Sequence, residues 1–167
     1  THFDCIIVGG GPGGSLLSTL LAQAGWKVCV VEKETFPRFR IGESLLPFSM
    51  PLFRKIGFAE RLDSGKYIRK YGAQFIDQRH EKEIYFRFDG DLTDAAEPFA
   101  YEVPRALFDS DLLEFAKENG VTVFQPQEVK HIEMQAEGVR VQTDQQTLTA
   151  PYVADASGRL SFLGNQL

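Results

Sequence analysis

The chain has 167 residues, 43% of them hydrophobic and 25% charged, which is enough for a compact domain with a real core. Its net charge is −5 and no basic stripe runs along it, so nucleic acid is not an expected partner. The longest apolar stretch, around Ser15–Ala24, is too short to cross a bilayer, so no transmembrane segment is expected either.

The first element reads as a buried strand, Asp4-Cys5-Ile6-Ile7-Val8. It begins so early that no signal peptide is expected. Gly9, Gly11 and Gly14 follow in the pattern G-x-G-x-x-G. The first glycine suits a tight turn, the second a close approach by a pyrophosphate, and the third close helix–strand packing. Leu17, Leu20, Leu21 and Ala24 recur at helical spacing, and Gly25 supplies the stop. Lys27–Val31 is a second strand, with Glu32 at its carboxyl end, 23 residues after Gly9. A carboxylate there can accept both ribose hydroxyls of an adenosine and disfavours a 2′-phosphate, hence NADP. Strand, glycines, helix, strand and acid in this order specify a Rossmann-like dinucleotide site; the alternative is an α/β unit whose glycines only turn the chain.

Thr35–Leu46 is irregular, with two arginines and Gly42. A helix is expected over Ser49–Ile56, ended by Gly57, with a further turn over Phe58–Leu62. Gly72–Asp77 and Glu83–Phe88 read as a hairpin, and Asp89–Glu97 as an acidic, solvated loop. A helix over Pro104–Asn119 precedes a short strand, Val121–Phe124, that can extend the parallel sheet. Val129–Gln135, Val139–Thr143 and Thr147–Ala150 alternate as a β-meander, which should cross over to a strand at Tyr152–Ala154. Eleven of fourteen phenylalanines lie between Phe36 and Phe115, so the middle of the chain packs on aromatic rings or lines an aromatic pocket, and core packing is the expected use of most of them. Cys5 and Cys29 read as reduced, buried thiols, consistent with a cytoplasmic protein. The scattered His2, His80 and His131 make no metal ligand set.

Val8–Gly14, Glu32-Lys33, Arg40-Ile41-Gly42-Glu43-Ser44, Val103-Pro104-Arg105 and Asp155–Arg159 together resemble FAD-dependent oxidoreductases of the p-hydroxybenzoate hydroxylase fold. The Gly42–Pro47 stretch is most similar to flavin-dependent halogenases and to geranylgeranyl-reductase-like flavoproteins. The resemblance implies an α/β fold: a Rossmann-like FAD-binding parallel sheet with a β-meander crossover, plus part of an antiparallel substrate-domain sheet. The FAD-binding segments would be about 1–68 and 101–167, with a substrate-domain hairpin at about 69–100. It also implies site roles. Gly9, Gly11, Pro12, Gly13 and Gly14 would surround the pyrophosphate, Glu32 would bind the ribose with Lys33 beside it, and Arg40 would lie near the phosphates. Gly42, Glu43 and Ser44 would lie near the ribityl chain or flavin, Arg105 would reach FAD from its helix start, and the Val129 backbone would meet adenine. Asp155, Ala156, Ser157 and Gly158 would form the second dinucleotide motif, with Ala156 where many hydroxylases have glycine.

Arg69–Phe75 resembles the lysine-bearing strand of the halogenases, where the lysine carries or orients hypohalous acid. Lys70 is therefore the candidate catalytic residue, against the alternative of a solvated lysine at a strand start. The halogenases' Trp-x-Trp-x-Ile-Pro stretch is absent, since Trp26 is the one tryptophan. The family's later Gly-Asp segment is also absent, so the chain is expected to be the amino-terminal part of a longer flavoprotein. The implied function is oxygen activation at reduced flavin, hydroxylating or halogenating a small organic molecule, with a flavin reductase or NAD(P)H as electron source. The alternatives are a geranylgeranyl-reductase-like enzyme reducing C=C bonds and a dinucleotide-binding module without catalysis.

Overall fold

A computed structural model describes residues 1–89 and 97–166. The expected acidic loop therefore lies mostly outside the described residues. In chain order the elements are β1 (Cys5–Val8), α1 (Pro12–Gln23), β2 (Val28–Val31), α2 (Met50–Ile56), α3 (Ala59–Leu62), β3 (Ile68–Lys70), β4 (Gly72–Asp77) and β5 (Lys82–Arg87). They continue with β6 (Ala100–Glu102), α4 (Arg105–Glu118), β7 (Thr122–Phe124), β8 (Val129–Gln135), β9 (Gly138–Thr143), β10 (Thr147–Ala150) and β11 (Tyr152–Asp155). The chain forms two compact units, Thr1–Phe39 with Ala106–Leu167, and Arg40–Arg105.

The first unit is built on a parallel sheet of order β11-β1-β2-β7. Successive residues of a strand face opposite sides, and both sides of this sheet are covered. Ile6, Val8, Cys29 and Val31 pack with Val139, Val141 and Leu148 of the antiparallel meander β8–β9–β10. Cys5, Ile7, Val28 and Val30 pack with Leu113 and Ala116 of α4, and Leu17 and Leu21 of α1 lie against the same cluster. That double burial is why β1 and β2 are apolar at every position. The meander then leads into β11, which pairs parallel with β1, Ile6 opposite Val153, as the sequence leads one to expect.

The second unit contains α2, which ends where Gly57 adopts φ +86°, followed by α3. Its strands β3 and β6 pair antiparallel, with Lys70 opposite Ala100. On the other edge of β6 the segment 43–45 adds a further strand-like pairing: Ser44 faces Glu102, the Leu45 amide donates to Tyr101 (2.9 Å) and the Val103 amide to Glu43 (2.8 Å). This three-ribbon arrangement was not anticipated from the sequence. The hairpin β4–β5 was, with Phe75 opposite Ile84.

The expected use of the phenylalanines needs correction. Of the eleven between 36 and 115, Phe53, Phe58 and Phe108 are buried, but Phe39, Phe48, Phe75 and Phe86 are exposed. The exposed pair on the hairpin stack edge-to-face at 5.6 Å, on strands that are exposed along almost their whole length. A two-stranded ribbon has two faces, and aromatic residues on it stay accessible unless a second layer covers one.

Candidate functional site

In the first unit the glycine turn closes onto two elements at once. Gly9 has φ +103°, and a Cβ there would lie 2.5 Å from the carbonyl oxygen of Ala156. The Ala156 amide in turn donates to the Val8 carbonyl at 2.8 Å. At Gly14 a Cβ would lie 1.9 Å from the Gly9 oxygen, so the absent side chain sets the distance of α1 from the strand. Gly11 and Gly13 differ: a Cβ on Gly13 would meet nothing within 4 Å, and one on Gly11 only Arg38 Nη2 at 3.7 Å. Gly11 is also the N-cap of α1, with no side-chain cap, Pro12 in the first turn and no acidic residue there. An amide-rich helix start, uncapped and beside open space, suits an anion.

Glu32 follows β2 and is 5% exposed. One carboxylate oxygen accepts from the Gly10 amide (2.7 Å) and the other from the Glu34 amide (2.8 Å). The acid thus braces the glycine turn, while each oxygen keeps a second lone pair that can accept a ribose hydroxyl. Lys33 beside it is exposed. Arg38, one of the two arginines of the loop that the sequence suggests could fold back over the dinucleotide but given no role of its own there, brings its guanidinium next to Gly11. It donates from Nη1 to Asp109 at 2.9 Å; the Asp109 carboxylate on α4 is wholly buried. Its Nε lies 2.8 Å from the Glu34 carboxylate but is not aligned to donate, so that buried N–H has no hydrogen-bond acceptor. The pair is invisible locally because 71 residues separate its members. Open glycines, an uncapped helix start, a held arginine and a buried carboxylate fit the pyrophosphate and ribose of a dinucleotide.

Val129 sits at the start of β8 opposite Thr143, its side chain in the meander core. Asp155 ends β11 opposite Val8, and both its oxygens are engaged, by the amides of Ser157 and Leu163, each at 2.9 Å. Burial opposes its ionisation, but the hydrogen bonds from Ser157 and Leu163 outweigh that and hold its carboxyl below the usual range. Asp155 therefore shapes the loop, and that loop places Ala156 and Ser157 against Gly9. Gly158, with φ +69°, opens a short 3-10 turn.

The other singled-out residues lie in the second unit. Arg40 is half-buried. Gly42 has φ +107°, and Arg105 Nη1 donates to the carbonyls of Ile41 (3.2 Å) and Gly42 (3.3 Å), so Arg105 fastens this loop. Glu43 is exposed and pairs through its backbone with Val103. The Lys70 ammonium donates to the Ser44 hydroxyl, which donates to the Glu102 carboxylate at 3.0 Å. Lys70 Nζ also lies 5.4 Å from the centre of the Phe88 ring.

Residues 2–167 match the family model described as an FAD binding domain. The chain belongs to the FAD-binding domain family. FAD is the cofactor of that family, and the fold of this FAD-binding domain is that of flavin-dependent halogenases and hydroxylases. It is 35% identical over 185 residues to the 1H-pyrrole-2-carbonyl-(peptidyl-carrier protein) chlorinase of Pseudomonas fluorescens, covering 99% of this chain and 41% of that protein. The structure of the myxobacterial chondrochloren halogenase CndH is similar with a TM-score of 0.83 and 32% identity, over 96% of this chain and 38% of that one. A flavoprotein/dehydrogenase of Cytophaga hutchinsonii has a TM-score of 0.85 and 31% identity, over 95% and 40% of the two chains. The chain thus spans less than half the length of the curated relatives it matches. Among the described residues no helix of this FAD-binding domain is long and apolar enough to cross a membrane, and no group of three His, Cys, Asp or Glu could hold a metal ion.

Proposed function

We propose that this chain is the FAD-binding part of a flavin-dependent halogenase-like monooxygenase, a cytoplasmic enzyme acting on a small, electron-rich organic molecule. The observation that carries the reading is the 35% identity to a chlorinase across 99% of the chain. Bound FAD, once reduced, supplies the activation of oxygen; a flavin reductase or NAD(P)H supplies the electrons. The residues of this chain do the rest. The start of α1, with Gly11, Pro12 and Gly13, receives the pyrophosphate, and Arg38 neutralises its charge from beside Gly11. Gly9 and Gly14 close the turn, with Ala156, Ser157 and Gly158 backing it. Glu32 accepts the ribose hydroxyls, Lys33 flanks it, and the Val129 backbone serves adenine. Arg40, Gly42, Glu43 and Arg105 form the loop that meets the rest of the cofactor, and the hairpin β4–β5 belongs to the substrate-binding sheet. Lys70 donates a hydrogen bond that orients the oxidised halogen species toward substrate.

The test is full-length protein with reduced FAD, oxygen, chloride or bromide and a panel of electron-rich aromatic substrates. Halogenated product, lost in Lys70→Met while flavin reoxidation persists, is the expected result. Hydroxylated product insensitive to halide and to Lys70→Met would overturn the halogenase reading. Turnover without oxygen would favour reductive chemistry instead.

A further inference from the structure

We infer that Ser44 and Glu102 are positioning residues for Lys70, so that Ser44 serves the lysine rather than the flavin. The inference rests on the proposed role of Lys70 and adds the residues that hold it. Three short segments bring the side chains together. Residues 43–45 and β3 flank β6 on its two edges, with Ser44 opposite Glu102, Ile68 opposite Glu102 and Lys70 opposite Ala100. Because side chains alternate across a strand, Ser44, Glu102 and Lys70 all project from one face of this ribbon, while Arg69 and Tyr101 project from the other. On that other face Tyr101 and Arg69 both bond Asp63, which separates the two polar groups.

The direction of the hydrogen bonds follows from chemistry. An ammonium group can only donate and an ionised carboxylate can only accept. Ser44, between them, therefore receives a bond from Lys70 Nζ and directs its one proton to Glu102 Oε2 at 3.0 Å. The arrangement has one consistent orientation and ends on a charge at each side, the condition under which hydrogen bonds are strongest. It leaves Ser44 without a proton to offer a cofactor atom. The Phe88 ring, 5.4 Å from Nζ, gives the ammonium an aromatic neighbour. Glu102 carries no role from the sequence; its position in a three-residue strand between the acidic loop and Val103-Pro104 gave no cue.

The test compares full-length wild type with Ser44→Ala, Ser44→Thr, Glu102→Gln and Lys70→Met. The first measurement needs no turnover: the rate at which acetic anhydride acylates Lys70, read by peptide mass spectrometry. Losing a hydrogen bond to a charged group should make Ser44→Ala about tenfold faster, with Glu102→Gln shifted the same way by less. Ser44→Thr keeps the hydroxyl and should return the wild-type rate. The second measurement is halogenation, where kcat should fall about 10- to 100-fold in Ser44→Ala and recover in Ser44→Thr, with FAD affinity unchanged in both. Equal acylation rates in wild type and Ser44→Ala would overturn the inference, as would loss of FAD affinity in Ser44→Ala with Lys70 reactivity unmoved. Halogenation that survives Lys70→Met would instead remove the proposed role of the lysine, a separate failure, since the acylation rates still decide whether Ser44 and Glu102 hold it.

Discussion

Glu32 braces the glycine turn and is also proposed to hold the ribose, and the two roles predict separable losses. Glu32→Ala removes the acceptor proposed for the ribose, which should weaken FAD about 10- to 100-fold in the full-length protein. It also strands the amides of Gly10 and Glu34, so the apo-protein should lose about 1–3 kcal/mol of stability. Isothermal titration with FAD and urea unfolding of the apo-protein measure the two; FAD affinity unchanged beside lowered stability would leave Glu32 a brace alone. Cys29 gives a pH prediction. Burial, then the neighbouring Cys5, pushes its thiol up to about 12, from an ordinary 9.0. The folded state therefore keeps a proton that the unfolded chain releases, so this contribution is whole below pH 9 and is lost as pH rises toward 12. Urea midpoints should fall over that range, and Cys29→Ala should remove part of the fall. Glu32 was legible in the sequence because its signal is local, a fixed distance from the glycines. The partnership of Arg38 and Asp109 was not, because only the packing of α4 onto the sheet brings them together.

Helix α1 separates two kinds of glycine that read alike in sequence. Gly14→Ala drives a methyl group into the Gly9 carbonyl, so α1 must move off the sheet; overpacking of this kind costs about 1–3 kcal/mol or more. Gly13→Ala meets nothing and should raise apo-protein stability by up to about 1 kcal/mol through helix propensity, while weakening FAD if the pyrophosphate lies there. Thermal melts with and without FAD distinguish them: Gly14→Ala should melt lower in both, Gly13→Ala higher without FAD and with a smaller shift on adding it. The long periodic elements, α1, α4 and the meander, were legible for the same reason that Glu32 was. The ribbon of 43–45, β6 and β3 was not, since strands of three residues are defined by their partners and carry no period of their own.

At the scale of the molecule, the parallel sheet depends on chain from both sides of the second unit. Its central strands β1 and β2 come from the first 31 residues, and its outer strands β7 and β11 come after residue 121. The meander with its Val139 and Val141, and α4 with its Leu113 and Ala116, also come after the second unit, which leaves α1 as the cover that the amino-terminal part supplies. A chain ending at residue 105 should therefore lack slow-exchanging amides at Ile7 and Val30, which hydrogen exchange would detect; strong protection there would mean that β1, α1 and β2 are stable alone. The aromatic hairpin illustrates the opposite limit of legibility: composition indicated that the phenylalanines were present but not whether a layer covers them.

The strand order β11-β1-β2-β7 also has a consequence for synthesis on the ribosome. The two strands that end at the centre of the sheet emerge first, and about 90 further residues must be translated before β7 begins. At about 5–20 residues per second the wait is roughly 5–20 s. For that interval an apolar strand pair has both edges open, α1 against one face and the other face wet, with two unpaired thiols, Cys5 and Cys29, on it. Such a pair is a template for wrong β-pairing and for oxidation. The nascent chain should thus be a client of ribosome-bound chaperones through the whole of the second unit and release them only as β11 completes the sheet.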